Sequence, residues 1–361
     1  MPLSAENAHG YFSLTDDFCC GLFTVSRRLK RILPGGGLEF CAVPGLLWAD
    51  IQALPATPAD YYWKDSPVLT YQGGGRRIEL EEDACIMIKD PIELFTFHGK
   101  LAEIDRELIE EEEFLRVLPD GVFLRGGRKN LLIHKTARIM GPVSLSTEEG
   151  PVVIDAGAVV KPFSVLEGPL YLGPGTLCES ARIRSSFIGE ACRIGGEVEE
   201  AVFHPFSNKH HEGFIGHSVV GRWVNLGALT TGSDLKNNYS SVWFPGPSGE
   251  HNATPYLKLG ALIGDHVKTG IGTLLTTGTR ISLGSLIAGG GMAPSWLPPF
   301  SWHVNGETGH YKIDRFIQTE KTVMGRRNQE MSEAYEQQLR SLHEKTKELH
   351  KGEELNERTH G

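Results

Sequence analysis

The stretch VVIDAGAVVKPFSVLEGPLYLGPGTLCESARI, residues 152–183, decides the fold. Aliphatic or aromatic side chains recur in it at every sixth position: Val153, Val159, Val165, Tyr171, Leu177 and Ile183. Small or turn-forming residues sit between them, as in VIDAGA and YLGPGT. A period of six matches neither the turn of an α-helix nor the two-residue alternation of a strand. It fits a short strand followed by a corner, with one inward aliphatic on each side of a triangular coil of about 18 residues. Stacked coils pair as parallel strands and fill the centre with aliphatic ladders. Each buried Val, Ile or Leu contributes roughly 1.5–3 kcal/mol, so several coils are needed to offset chain entropy. The alternative is a two-sheet sandwich with chance spacing; the unbroken run of six-residue steps weighs against it.

Working outward, the same step links Ile133, Ile139 and Leu145 upstream. Downstream it links Ile188 to Ile194, and related spacings appear at Leu262, Val267 and Ile271 and at Ile281 and Leu286. Two segments interrupt it: STEEGP (146–151) and the polar PGPSGEHNATP (245–255), which is expected outside the coil, within reach of a ligand or a neighbouring subunit. After GGGMAPSWLPPFSW (289–302) prolines end the repeat. Beyond it Met324, Met331, Tyr335, Leu339, Leu342 and Leu349 make an apolar stripe on a charged helix.

Residues 1–130 read differently. GLFTVSRRLKRIL (21–33) can form an amphipathic helix ended by Pro34 and three glycines, and residues 93–118 form a second helical region. CAVPGLLWADIQALP and ACIMIKD between them contain apolar runs of strand length. The expected architecture is therefore mainly β. It has a small α/β domain over 1–130, a parallel β-helix over 131–302 and a C-terminal helix over 315–351.

Composition narrows the function. The 361 residues suffice for two domains, and 40% hydrophobic with 22% charged residues is ordinary for a soluble protein. A net charge of −9 offers no basic field to nucleic acid or an anionic membrane. The N-terminus lacks a basic start followed by an apolar run, and nothing approaches a span of about 20 apolar residues, so neither a signal peptide nor a membrane helix is expected. Six cysteines without a C-x-x-C spacing read as reduced thiols of a cytoplasmic protein.

The densest polar cluster is HPFSNKHHEGFIGHSVVGRWVNLGALTTGSDLKNNYSSVWF (204–244), with four histidines, two lysines and one arginine among aliphatic repeats. Such groups on a rigid coil are costly unless they bind something or reach solvent. His204 and His210 are six apart, as are His211 and His217, so a zinc site is one reading of them. The γ-class carbonic anhydrases hold zinc with three histidines on such a fold, but at other spacings, and no metal is expected here.

The segment SNKHHEGFIGHSVVGRWVNLGALTTGSDLKNNY (207–239) resembles the acetyltransferase half of the bifunctional glucosamine-1-phosphate N-acetyltransferase / UDP-N-acetylglucosamine pyrophosphorylase family. It is closer still to predicted sugar nucleotidyltransferase–acetyltransferase proteins. The likeness extends through GPVVIDAGAVVKPFSVLEGPLYLGPGT, IGEACRIGGEVEEAVF, IGDHVKTGIGT, PPFSW and MGRRN, covering roughly residues 120–340. It implies a left-handed β-helix of hexapeptide repeats, acetyl-CoA as acyl donor, an amino-sugar phosphate as acceptor and a homotrimer with active sites between coils. It places His211 as the catalytic histidine, and Asn208, Lys209, Phe214 and Asn225 on the substrate. Gly227, Ala228, Lys236, Asn238 and Tyr239 fall on the cofactor side. Phe214 replaces a family tyrosine, and Ala228-Leu229 stands where Ala-Gly is usual.

The chemistry makes the histidine intelligible. An amino sugar must lose a proton before it attacks a thioester, and imidazole can take that proton near neutral pH. Backbone N–H groups near Ala228 would face the resulting oxyanion. The N-terminal FSLTDDFCCGLFTV (12–25) resembles a family segment that carries Thr-Arg-Pro, but Thr15-Asp16-Asp17 lacks the arginine. The triplets Gly35–Gly37 and Gly73–Gly75 are weak phosphate-loop signals. Two alternatives remain: a bifunctional enzyme that also transfers a nucleotide, the only case in which Mg²⁺ is expected, and a non-catalytic scaffold that binds a sugar nucleotide.

Overall fold

Glycine and small residues at regular intervals let the chain turn every few residues, and between the turns two to eight residues fit as strand. The result, in a computed structural model, is a parallel β-solenoid running from Val122–Arg125 to Ser301–Val304. The structure describes residues 19–24, 28, 38–40, 46–48, 58–63, 66–71, 74–81, 85–87, 91–246 and 250–350. One face is a nine-stranded parallel sheet from Leu131–Ile133 to Trp296–Leu297. The second and third faces merge into one sheet because Leu177–Arg184 and Arg193–Glu199 run unbroken around the corner between them.

The interior ladder is Ile154, Val160, Leu166, Leu172 and Cys178, each fully buried. It also steps by six, one residue after the ladder read from the sequence. Val153 and Tyr171 lie in the same strands but point outward, outside the central cluster. This corrects the expected inward set over residues 153–177, while Ile133, Leu145, Ile183, Ile188 and Ile194 do join the interior cluster, and the reason is physical. A one-residue shift along a strand exchanges its faces, and here both faces are apolar, so the period alone does not say which points in. The outer side of the first face is apolar because helix α1 (Leu94–Glu107) covers it. The His98 ring meets Phe187 at 6.5 Å and its Nε2 lies 3.0 Å from the Pro169 carbonyl. Helix α1 is also shorter than the helical region expected over 93–118, since Glu111–Glu113 forms only a 3-10 turn.

The expected helix over 21–33 begins instead as a strand, Phe23–Thr24, paired with Cys19–Cys20. Gly21 and Leu22 form the turn before it and Arg28 is helical; the rest of that stretch lies outside the described residues, as do Thr15–Asp17 and Gly35–Gly37. The strand-length runs contribute Leu46–Trp48 and Cys85–Met87, which pair antiparallel.

At the far end the expected single helix is two. Helices α2 (Ile313–Gly325) and α3 (Glu333–Thr346) are separated at Asn328, in the left-handed region at φ 55°. Ser332 starts α3 by accepting a hydrogen bond from the Tyr335 N–H. Phe316, Ile317, Leu339 and Leu342 pack on Leu283, Phe300 and Tyr311 of the last coils, whereas Leu349 is exposed. No helix among the described residues is long and apolar enough to cross a membrane.

Candidate active site

The corner between the second and third faces changes width along the stack. Residues 161–164 turn it in one coil. The next coil uses the irregular stretch between Glu179 and Arg182, and the one after only Gly195 and Gly196. In the following coil four residues, His210–Gly213, turn the corner between Lys209 and Phe214. The chain therefore steps outward by two residues at His210-His211, above the shorter corner of Gly195 and Gly196. Gly195 permits the overlap: a Cβ there would lie 2.0 Å from the His210 carbonyl oxygen.

His211 is exposed on this step, with its ring edge-on to His210 at 5.0 Å. Its imidazole nitrogens bond to no group among the described residues. The next coil turns the same corner with Gly227–Thr230, and the Leu229 N–H donates to the Glu212 carbonyl at 3.0 Å. The Gly227 N–H is taken by Thr269, while the Ala228 N–H meets no acceptor among the described residues. A free backbone donor thus stands one coil from a free imidazole. Leu229 holds φ 62°, a conformation that favours glycine, and stands exposed beside it.

The structure treats the remaining sequence candidates unequally. Asn208 and Asn225 stack on the outer side of the second face, joined by a side-chain hydrogen bond. Phe214 opens the strand that follows the His211 corner. Lys209 is turned into the coil and buried, donating to the carbonyls of Gly195 at 2.7 Å and His211 at 3.1 Å. An ammonium so placed cannot meet a substrate phosphate, which corrects its expected role. Lys236, Asn238 and Tyr239 leave from the opposite edge of the third face, on the excursion that follows Thr231–Gly232. There Lys236 donates to the Ser241 carbonyl, and Asn238 accepts from Ser240. Within one chain they do not join the His211 corner.

The four histidines do not gather around a metal. His204 is fully buried with Nδ1 on the Val220 carbonyl, and His217 sits at a different corner from His211. His217 belongs to a network the sequence reading missed. Its Nδ1 lies 2.7 Å from Asp234 and its Nε2 3.3 Å from Glu200, one coil below. Burial disfavours the charged ring, but the hydrogen bonds to Asp234 and Glu200 outweigh it and hold the pKa above the ordinary value. Among the described residues, Glu199, Glu200 and His217 are the one group close enough to hold a cation. Arg184 and Lys258 already face Glu199. Asp234 had no sequence signal beyond its place at the root of a loop.

No protein-family model matches the chain. It is similar to a "Bifunctional protein GlmU" of Methanococcus maripaludis, 29% identical over 203 residues, covering 53% of this chain and 45% of that protein. It is also similar to a bifunctional sugar-1-phosphate nucleotidylyltransferase/acetyltransferase of Sulfurisphaera tokodaii, 34% identical over 112 residues, 31% of this chain and 25% of that one. The chain therefore spans less than half the length of these relatives. Among solved structures, a hexapeptide transferase family protein from Anaplasma phagocytophilum aligns over 58% of this chain and 92% of its own, at 15% identity and a TM-score of 0.22.

Proposed function

We propose that the chain is an acetyl-CoA-dependent N-acetyltransferase for an amino-sugar phosphate, with His211 as general base. One observation carries the reading: the His211 imidazole and the Ala228 N–H, both without a partner among the described residues, stand on adjacent coils of one corner. Similarity to the bifunctional sugar-phosphate enzymes supports the substrate class. Acetyl-CoA supplies an acyl thioester. As the sugar nitrogen forms its bond to the thioester carbon, His211 takes the nitrogen's proton. The Ala228 N–H donates to the developing oxyanion, and the C–S bond breaks to release the thiol, to which the proton passes. Asn208 and Asn225 line the approach for the sugar, with Phe214 beyond the corner.

We place the working form as a homotrimer. The corner carrying the site continues into exposed Leu229 and Ile271, with Leu274 and Met292 stacked beside them on the third face, and a neighbouring coil would cover them. A neighbour could also bring its own Lys236–Tyr239 segment toward the acyl donor. The bifunctional alternative, an enzyme that also transfers a nucleotide, fits the same relatives, and the site geometry bears on its acyl-transfer half.

The test is calorimetry with acetyl-CoA, followed by thiol release with glucosamine 1-phosphate and related amino-sugar phosphates. Heat of binding and an amine-dependent release are expected. Absence of both across the panel would leave only a scaffold.

A further inference from the structure

The inward position of the second face is read along the stack as Ile139, Val160, Cys178, Ile194, Lys209, Leu226, Thr269 and Ile287. Lysine takes a slot that aliphatic residues fill on both sides, and it is only 2% exposed there. Burying an ammonium is costly, and a leucine would serve the coil better. Gly196 makes room for it, since a Cβ at that position would stand 2.9 Å from Nζ. Burial draws the lysine pKa down to about 8, against the pull of Glu212 and Glu197.

What the ammonium holds is specific. In the projecting corner, the Glu212 carbonyl accepts from the Leu229 N–H and the Gly213 carbonyl from the Glu197 N–H. The His211 carbonyl receives no backbone N–H of an adjacent coil; it accepts from Lys209. The same ammonium reaches down to the Gly195 carbonyl of the coil below. It therefore ties the residue bearing the free imidazole to the coil beneath.

We infer that Lys209 is a positioning residue for His211, an internal charge that fixes the backbone of the projecting corner and so the direction of the imidazole. The inference rests on the acyl-transfer reading for its consequence, but its geometry is testable without it.

The experiment compares the full chain with Lys209→Met and Lys209→Leu. Turnover should fall roughly 10- to 100-fold, as expected when a catalytic group is displaced by about 1 Å. KM for acetyl-CoA should stay within about twofold, because uniform binding is untouched. Thermal stability should hold or rise, since an apolar side chain refills the slot. The ring resonance of His211 in ¹H–¹³C spectra should move, and amide exchange over 210–213 should quicken. Unchanged turnover with an unmoved His211 resonance overturns the inference. So does a loss of activity that merely follows a loss of thermal stability in both variants. If the wild-type chain transfers no acyl group, the acyl-transfer reading fails by itself. The His211 resonance and the exchange rates then decide the positioning alone.

Discussion

A histidine that serves as a base needs a free nitrogen, and a histidine that holds a fold needs partners; six residues apart, His211 has exposed nitrogens and His217 has two carboxylate partners. With its nitrogens open to solvent, His211 is the one expected to carry turnover. His211→Ala should lower turnover by about 10²–10⁴-fold at unchanged thermal stability, measured by thiol release and calorimetric melting. His217→Ala should instead act on stability. The His217 pKa is raised in the fold, so its contribution is fully present below the ordinary imidazole value and is lost as pH rises through the folded one. The pKa values of Asp234 and Glu200 are depressed, so their contribution is present above ordinary carboxylate values and is lost on acidification. The network therefore stabilises most between those ordinary carboxylate and imidazole values, a window of about pH 4.5 to 6.5. Urea midpoints of the wild type should decline from pH 6 to pH 9, and His217→Gln should flatten that slope. A variant with the same slope would remove His217 as its source.

Each element shows how far the sequence could be read. The six-residue period gave the parallel coil, because corners and inward aliphatics are chemically distinct, but not its first strand, Val122–Arg125, which lies before residue 131. It could not separate inward from outward, since Val153 and Ile154 are both apolar and both buried. Resemblance to known motifs singled out His211, but the narrowed corner at Gly195 and Gly196 that exposes it emerged only from strand register. Lys209 was misplaced because a lysine in sequence carries no sign that its slot faces inward. The C-terminal stripe was legible, the break in it was not, and neither was its anchor. Glu320 of α2 is buried against His266 at 2.7 Å and Lys268 at 2.9 Å, and the Tyr335 hydroxyl of α3 meets the other His266 nitrogen at 2.6 Å. Burial would raise the Glu320 pKa, but Lys268 and His266 outweigh it and hold it low. Glu320→Leu leaves that lysine uncompensated and should cost roughly 3–5 kcal/mol in urea unfolding. Amide exchange should quicken first in α2 and α3. A loss below about 1 kcal/mol, the range of a surface pair, would mean that the apolar contacts alone seat the helices.

Over the whole molecule, a solenoid must cover three faces and two ends, and this chain covers them unevenly. Helix α1 lies on the first face. The antiparallel hairpin of Ser301–Val304 and Glu307–His310, with α2 and α3, closes the last coil. The corner that bears the candidate site is left open. Along it Leu229 is 56% and Ile271 71% exposed on successive coils, and Leu274 and Met292 stack beside them on the third face. Scattered exposed apolar residues are ordinary on a protein surface, but an apolar ridge on neighbouring coils beside polar groups marks a contact surface. Three copies sharing such ridges would bury them and bring a neighbour's chain to each site, so assembly and activity should fail together. Ile271→Glu places a charge at the ridge centre without entering the coil, since the side chain points to solvent. Light scattering should give a trimeric mass for the wild type and a monomeric mass for this variant. The variant should retain its melting temperature at low concentration and lose thiol release. A monomeric wild type with full turnover would show that one coil suffices, and the ridge would then need a different partner.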